Sequence, residues 1–260
     1  MSADLYIEVV GDGPPLVLLH GWAMHGGVFV PLVERLRSRY RLHVVDLPGH
    51  GRSRDSQVPL APEACAEAIA SQVPRAPWCG WSLGGLIALH AASTQPRRVP
   101  ALAMLCASPR FVRGPDWAHA VSAEIFQDFA AGLRSDYRGT LDRFVALEAF
   151  GSDHAKDEIH ALRDGLFARG EPAARVLADG LDLLETTDLR AALPALRVPT
   201  LWLAGRRDRL VDPRAMQAAA AACPDAAFEA VEHAGHAPFL THADVVAARL
   251  SAFLERHGDA

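Results

Sequence analysis

Four short runs of the chain are apolar almost throughout: PLVLLH at 15–20, RLHVVD at 41–46, ALAMLCA at 101–107 and PTLWLAG at 199–205. They are too short for ordinary helices and lack the alternation of a half-exposed strand, so they fit strands buried on both faces. Such strands belong in a mainly parallel sheet covered by helices on each side. The intervening stretches agree. Residues 28–40 (Phe29, Leu32, Val33, Leu36), 61–72, 83–94, 215–222 and 245–256 carry helical spacing, and 5–10, 78–80 and 227–231 read as further strands. The turn Gly11-Asp12-Gly13-Pro14 separates the first two strands. Pro74 and Pro77 cannot donate to a central ladder, so the strand that follows them is expected to begin only after Pro77 and to be short.

The alternation stops once. From 109 to 191 the pattern is helical, with no convincing strand. The expected organisation is therefore an α/β core (1–108 and 192–260) interrupted by a helical lid (109–191), within the size range of one large domain. A net charge of −5 argues against a nucleic-acid binder. No apolar run reaches the roughly 18 residues that span a membrane, and the opening MSADLYIEVVGDG has no signal pattern. Cys65, Cys79, Cys106 and Cys223 are scattered, and Cys79 and Cys106 sit in apolar runs as expected buried thiols. A cytoplasmic monomer is the expectation.

The segment CGWSLGG places Ser82 between Gly80 and Gly84, where a strand should turn into a helix. A chain of this length contains G-x-S-x-G by chance roughly one time in ten, so the context decides its weight. A sharp strand-to-helix turn strains the serine backbone and leaves no room for side chains two residues to either side. The following helix also turns its first N–H groups toward developing negative charge. Trp81 has no role that the residues alone explain.

A serine hydroxyl needs a base, and the base an orienting acid. In this architecture the chain order is Ser, then acid, then His. After the 199–205 strand come Asp208 and Asp212; Asp212 precedes Pro213 and suits a helix cap, leaving Asp208 as the acid. After the last strand, EHAGHAPF offers His233 and His236, of which His236 is the better base; His233 fits the surface and His242 the start of the last helix. His20-Gly21-Trp22, after an early buried strand, suits the second oxyanion donor, with the N–H groups of Trp22 and Leu83 forming the hole. No HExxH spacing suggests a metal and no GxGxxG a dinucleotide, so neither metal nor cofactor is expected.

LLHGW, DLPGHGRS, GWSLGG, LAGRRDRLVDP and GHAPF together resemble the α/β-hydrolase superfamily across the whole chain. Within it, LVLLHGW, LHVVDLPGHGRSR, CGWSLGGL, DRFVALEAFG, LDLLETTDLR and HAPFLTH resemble the family of methyl ester esterases that act on pimeloyl-[acyl-carrier protein] in biotin biosynthesis. The resemblance implies Ser82 as nucleophile, His236 as base and Asp208 as acid. It also implies substrate contacts by Trp22, Ser82, Leu83, Phe144, Val145, Ala146, Leu147, Glu148 and His236, in an apolar groove between core and lid. The acyl carrier protein is implied as partner, met by Arg138, Arg143 and Lys156. Gly139 and His160 stand where that family would have arginine, and acidic residues outnumber basic ones across 109–191, so any basic face is local. A broad carboxylesterase or lactonase on small free esters shares the same catalytic set. A non-catalytic binding protein on this scaffold is disfavoured by the complete Ser82, Asp208 and His236 set.

Overall fold

Seven strands form one sheet: β1 (Ile7–Val10), β2 (Pro15–Leu19), β3 (Arg41–Val45), β4 (Trp78–Trp81), β5 (Leu102–Leu105), β6 (Thr200–Gly205) and β7 (Ala226–Val231). The structure, a computed structural model, describes residues 5–257; Met1–Asp4, the start of the stretch read as free of a signal pattern, lie outside it. The strand order is β1-β3-β2-β4-β5-β6-β7, with β1 antiparallel to β3 and the other pairs parallel. The four apolar runs supply β2, β3, β5 and β6, and β4, β5 and β6 are buried at every position. The edge strands β1 and β7 are partly exposed, which is why their sequences are less uniformly apolar. β4 begins directly after Pro77, whose carbonyl accepts from Val17 N–H at 3.0 Å.

Helices α1 (Val30–Leu36), α2 (Pro62–Gln72), α3 (Leu83–Thr94), α8 (Pro213–Ala221) and α10 (Ala243–His257) accompany the sheet. The helix expected over 28–40 is shorter. A 3-10 turn at Gly26–Phe29 precedes α1, whose second residue is Pro31, and the chain leaves the helix after Leu36 to reach β3. Apolar periodicity does not register a proline that cannot donate inside a helix but suits its first turn. A four-residue helix, α9 (Pro238–Thr241), follows the expected catalytic histidine and carries too little periodicity to be read from sequence.

Between β5 and β6 lie α4 (Ala123–Ser135), α5 (Tyr137–Glu148), α6 (Ala155–Leu166) and α7 (Ala174–Thr186), with two isolated bridges and no strand. This lid is tied to the core by polar contacts. The Asp46 carboxylate, fully buried at the end of β3, accepts from Gly26 N–H (2.7 Å), Arg52 N–H (2.8 Å) and Arg169 Nη1 (3.2 Å), and Arg169 comes from the lid. His25 Nε2 donates to Gly165 O (2.7 Å), and Ala173 N–H to Gly49 O (3.1 Å). A buried charge with this many donors is compensated; removing Arg169 would leave it partly unpaired.

Candidate active site

Ser82 sits between β4 and α3 with φ +53° and ψ −121°, a backbone conformation that residues with a Cβ rarely adopt. Neighbouring elements impose it. Ser82 N–H donates to Leu105 O on β5 (3.1 Å), and its carbonyl accepts from Gly85 N–H (2.9 Å) as α3 begins. The two glycines do separate work. A Cβ on Gly80 would lie 2.4 Å from Gly84 O, across the turn; one on Gly84 would lie 2.4 Å from Leu19 O and 2.6 Å from His20 O, on the neighbouring strand. Leu83 is the first residue of α3, so its N–H has no carbonyl within the helix.

Asp208 and His236 meet as the spacing predicts. His236 Nδ1 is 2.7 Å from Asp208 Oδ2, and both side chains are buried. The other Asp208 oxygen accepts from the N–H groups of Leu210 and Val211, each at 2.9 Å, so the loop after β6 fixes the carboxylate before the histidine is added. With Nδ1 donating to the carboxylate, Nε2 is the basic atom, and it is buried without a protein hydrogen-bond partner. Asp212 instead caps α8, accepting from Arg214 N–H at 2.8 Å. His233 is exposed, 2.9 Å from Asp153, and His242 directly precedes α10.

Trp81, unexplained by the sequence, is a support for the histidine. Its indole N–H donates to His236 O at 2.8 Å, and its ring packs edge-on against Phe239 at 5.0 Å. His20 has a comparable role on the opposite loop. Its Nδ1–H donates to Gly21 O (2.8 Å) while Nε2 accepts from Leu47 N–H (2.9 Å), a pattern that needs the neutral ring. Burial, then the neighbouring His50, hold His20 well below the ordinary imidazole range, in agreement. Only the pattern HG was visible in the sequence; the bond from Leu47 to its histidine joins residues 27 apart.

Trp22 is buried with its indole N–H on Leu177 O of α7 (2.8 Å), so the loop carrying the expected oxyanion donor is fastened to the lid. Phe144 packs edge-on against Trp22 at 4.5 Å, and Phe129 joins both. The expected substrate stretch is not uniform. Phe144, Val145 and Glu148 are buried and Leu147 is half-buried, but Ala146 is exposed, two residues from Phe144 and so on the far side of α5. Ala146 therefore lies on a different face of α5 from Phe144.

Glu148 is fully buried, and neither carboxyl oxygen has a protein hydrogen-bond partner. Burial, then the charges of Asp208 and Glu158, push its carboxyl well above the usual range. A carboxyl raised in the folded state adds stability below its ordinary pKa and loses that contribution as pH rises. Glu148→Gln should thus raise stability more at about pH 8 than at about pH 5, by a difference of about 1–3 kcal/mol in denaturant melts at the two pH values.

Of the expected partner-facing residues, Arg138 pairs with Glu171 and stacks over Phe167, and Arg143 lies 3.6 Å from Asp136. Lys156 is exposed at the start of α6. Among the described residues no group of three or more His, Cys, Asp or Glu could hold a metal ion, and no helix is long and apolar enough to cross a membrane.

A family model described as alpha/beta hydrolase fold matches residues 14–243. The chain belongs to the α/β-hydrolase fold family. This hydrolase is 60% identical to a Xanthomonas campestris pv. campestris (strain B100) protein named pimeloyl-[acyl-carrier protein] methyl ester esterase, over 96% of this chain and 98% of that one. It is 57% identical to a protein of the same name from Stenotrophomonas maltophilia (strain K279a), over 96% of each. Among solved structures, an esterase from Exiguobacterium antarcticum superposes on the hydrolase with a TM-score of 0.84 at 22% identity, covering 96% of this chain and 95% of that one. At that identity the likeness concerns the fold.

Proposed function

We propose that this chain is a serine carboxylesterase that hydrolyses the methyl ester of pimeloyl-[acyl-carrier protein], giving pimeloyl-[acyl-carrier protein] and methanol in biotin biosynthesis. Identity of 57–60% over nearly the full length of proteins bearing that name carries the reading. The pairing of His236 with Asp208 and, separately, the strained elbow at Ser82 support the chemistry.

Ser82 Oγ attacks the ester carbonyl while His236 Nε2 takes its proton; Asp208 holds the ring with Nδ1–H inward and stabilises the cation that forms. The N–H groups of Leu83 and Trp22 receive the oxyanion. Collapse of the tetrahedral intermediate breaks the bond to the methoxy group, which leaves as methanol with the proton from His236. Water, deprotonated by the same nitrogen, then attacks the acyl-enzyme, and Ser82 regains its proton as the free carboxylate departs. Trp22 and Phe144 offer apolar surface for the acyl chain.

Arg138, Arg143 and Lys156 face the acidic carrier protein. Surface charges of this kind act on encounter and salt dependence more than on chemistry. Arg138→Glu combined with Lys156→Glu should raise KM for the carrier-linked ester about 3- to 30-fold, by steady-state assay at low salt, and leave a free short-chain ester unchanged. The function as a whole is tested in a biotin-requiring strain lacking its own esterase. The wild-type chain should restore growth and Ser82→Ala should not; failure of the wild type, with soluble protein present, would count against the reading.

A further inference from the structure

The corner between α5 and α6 touches the loop of the expected catalytic base directly. Glu148 O accepts from His236 N–H, and His233 O accepts from Asp153 N–H, both at 3.2 Å. One side chain locks this corner to the core. Glu158, on α6, is fully buried, and its Oε1 accepts both from Ser152 Oγ in the corner and from Thr241 Oγ1 in α9, each at 2.8 Å. Its Oε2 is buried without a partner on the side of Gly235: a Cβ on Gly235 would stand 3.5 Å from Oε2 and 3.1 Å from Ser152 Cβ. On the other side of Gly235, a Cβ on Gly205 would strike Gly235 O at 1.8 Å. The residue before His236 is thus held between the lid corner and β6.

We propose that Glu158 is a positioning residue for His236: by joining Ser152 of the lid to Thr241 of the core, it sets the loop that carries the base. The argument is geometric. A carboxylate oxygen accepting two hydroxyls fixes both donors relative to α6, and those donors bracket the catalytic loop, one beside Gly235 and the other five residues beyond His236. The Thr241 hydroxyl has a single proton, which goes to Glu158, so its 3.0 Å contact with His242 Nδ1 is one in which the ring donates. Burying a carboxylate here is unfavourable, since burial raises its pKa while the two hydroxyls lower it. The consequence is that displacement of the lid corner displaces the base, making alignment of His236 dependent on a seated lid.

This inference rests on His236 being the base, and not on which ester is the substrate. It is tested with a fluorophosphonate, which needs only Ser82 and its base, and with p-nitrophenyl acetate. Glu158→Ala should slow phosphonylation and lower kcat about 10- to 100-fold, with KM moving less than about 3-fold. Glu158→Gln, whose amide oxygen still accepts both hydroxyls, should recover most of the loss. A purely structural Glu158 would lower the melting temperature and leave the phosphonylation rate of the folded protein untouched, and that result overturns the proposal. If Glu158→Ala does not fold, Thr241→Val decides, because it removes the core-side donor and leaves the Ser152–Glu158 bond in place; a wild-type rate there is equally contrary. Labelling of the wild type with no difference among variants removes the Glu158 proposal alone, whereas an unlabelled wild type removes the serine assignment with it.

Discussion

Ser82→Ala should reduce turnover of the carrier-linked methyl ester on the order of 10³- to 10⁶-fold while leaving the melting temperature within a few degrees of wild type. The size follows from the role. Without Oγ no acyl-enzyme forms, and what remains is the polarisation of the carbonyl by the oxyanion donors. The absence of a stability penalty follows from the site: Ser82 holds its position through backbone bonds to Leu105 and Gly85, which alanine keeps. Alanine keeps the Cβ, so the strain at φ +53°, which the surrounding fold maintains, is the same in both. Steady-state methanol release and a thermal melt on the same preparation check both halves. A residual rate within tenfold of wild type would show that another group attacks the ester.

The second large effect is on folding. Gly84→Ala should destabilise the protein by about 3 kcal/mol or more, because the added methyl meets two backbone carbonyls on β2 and its loop and neither can rotate aside. Relief requires α3 to move off the sheet, which would carry Leu83 N–H away from the elbow and reduce activity as well. Gly165→Ala in the lid is the control: nothing lies within 4 Å of the new methyl, so it should be neutral or stabilise by about 0.5–1 kcal/mol. Urea melts of the two variants beside the wild type measure the contrast. Equal stability of Gly84→Ala and wild type would mean that the helix is not pressed against β2 as the structure has it.

Clearance at Gly84 also illustrates where sequence reading stops. The spacing G-x-S-x-G announces a tight turn, and collision across that turn is what the pattern suggests. Gly80 behaves so, but Gly84 is required by Leu19 at the end of β2 and His20 just after it, 65 and 64 residues earlier in the chain. The pairing of Asp208 with His236 and the elbow at Ser82 were legible because each residue follows a strand that can be recognised, and parallel strands deliver their following loops to one end of the sheet. The preference for Asp208 over Asp212 likewise rested on local chemistry, the proline after Asp212 favouring a cap.

What escaped the sequence is tertiary. Trp81, His20 and Glu158 show no local sign of their tasks, because each bonds to a residue far away in the chain: His236 O, Leu47 N–H and Thr241 Oγ1. A tryptophan beside a nucleophile, a histidine before a glycine or a glutamate on an amphipathic helix has too many bland readings for residue type to choose among them. The division of the stretch 144–148 between two faces of α5 escaped for a related reason. A contiguous substrate stretch was carried over whole, but on a helix only some of five successive residues share a face. The helix at 28–40 was overextended because periodicity records which face is apolar and is silent on where hydrogen bonding starts and stops.

The most direct test of the central claim is a comparison of kcat/KM for pimeloyl-[acyl-carrier protein] methyl ester with that for a free pimelate methyl ester, following methanol, with Ser82→Ala as the blank. Serine catalysis on a carrier-bound substrate predicts methanol release from both and a preference for the carrier-linked ester of about tenfold or more, weakening as salt rises. Hydrolysis of the free ester alone, with the carrier-linked ester untouched, would contradict it.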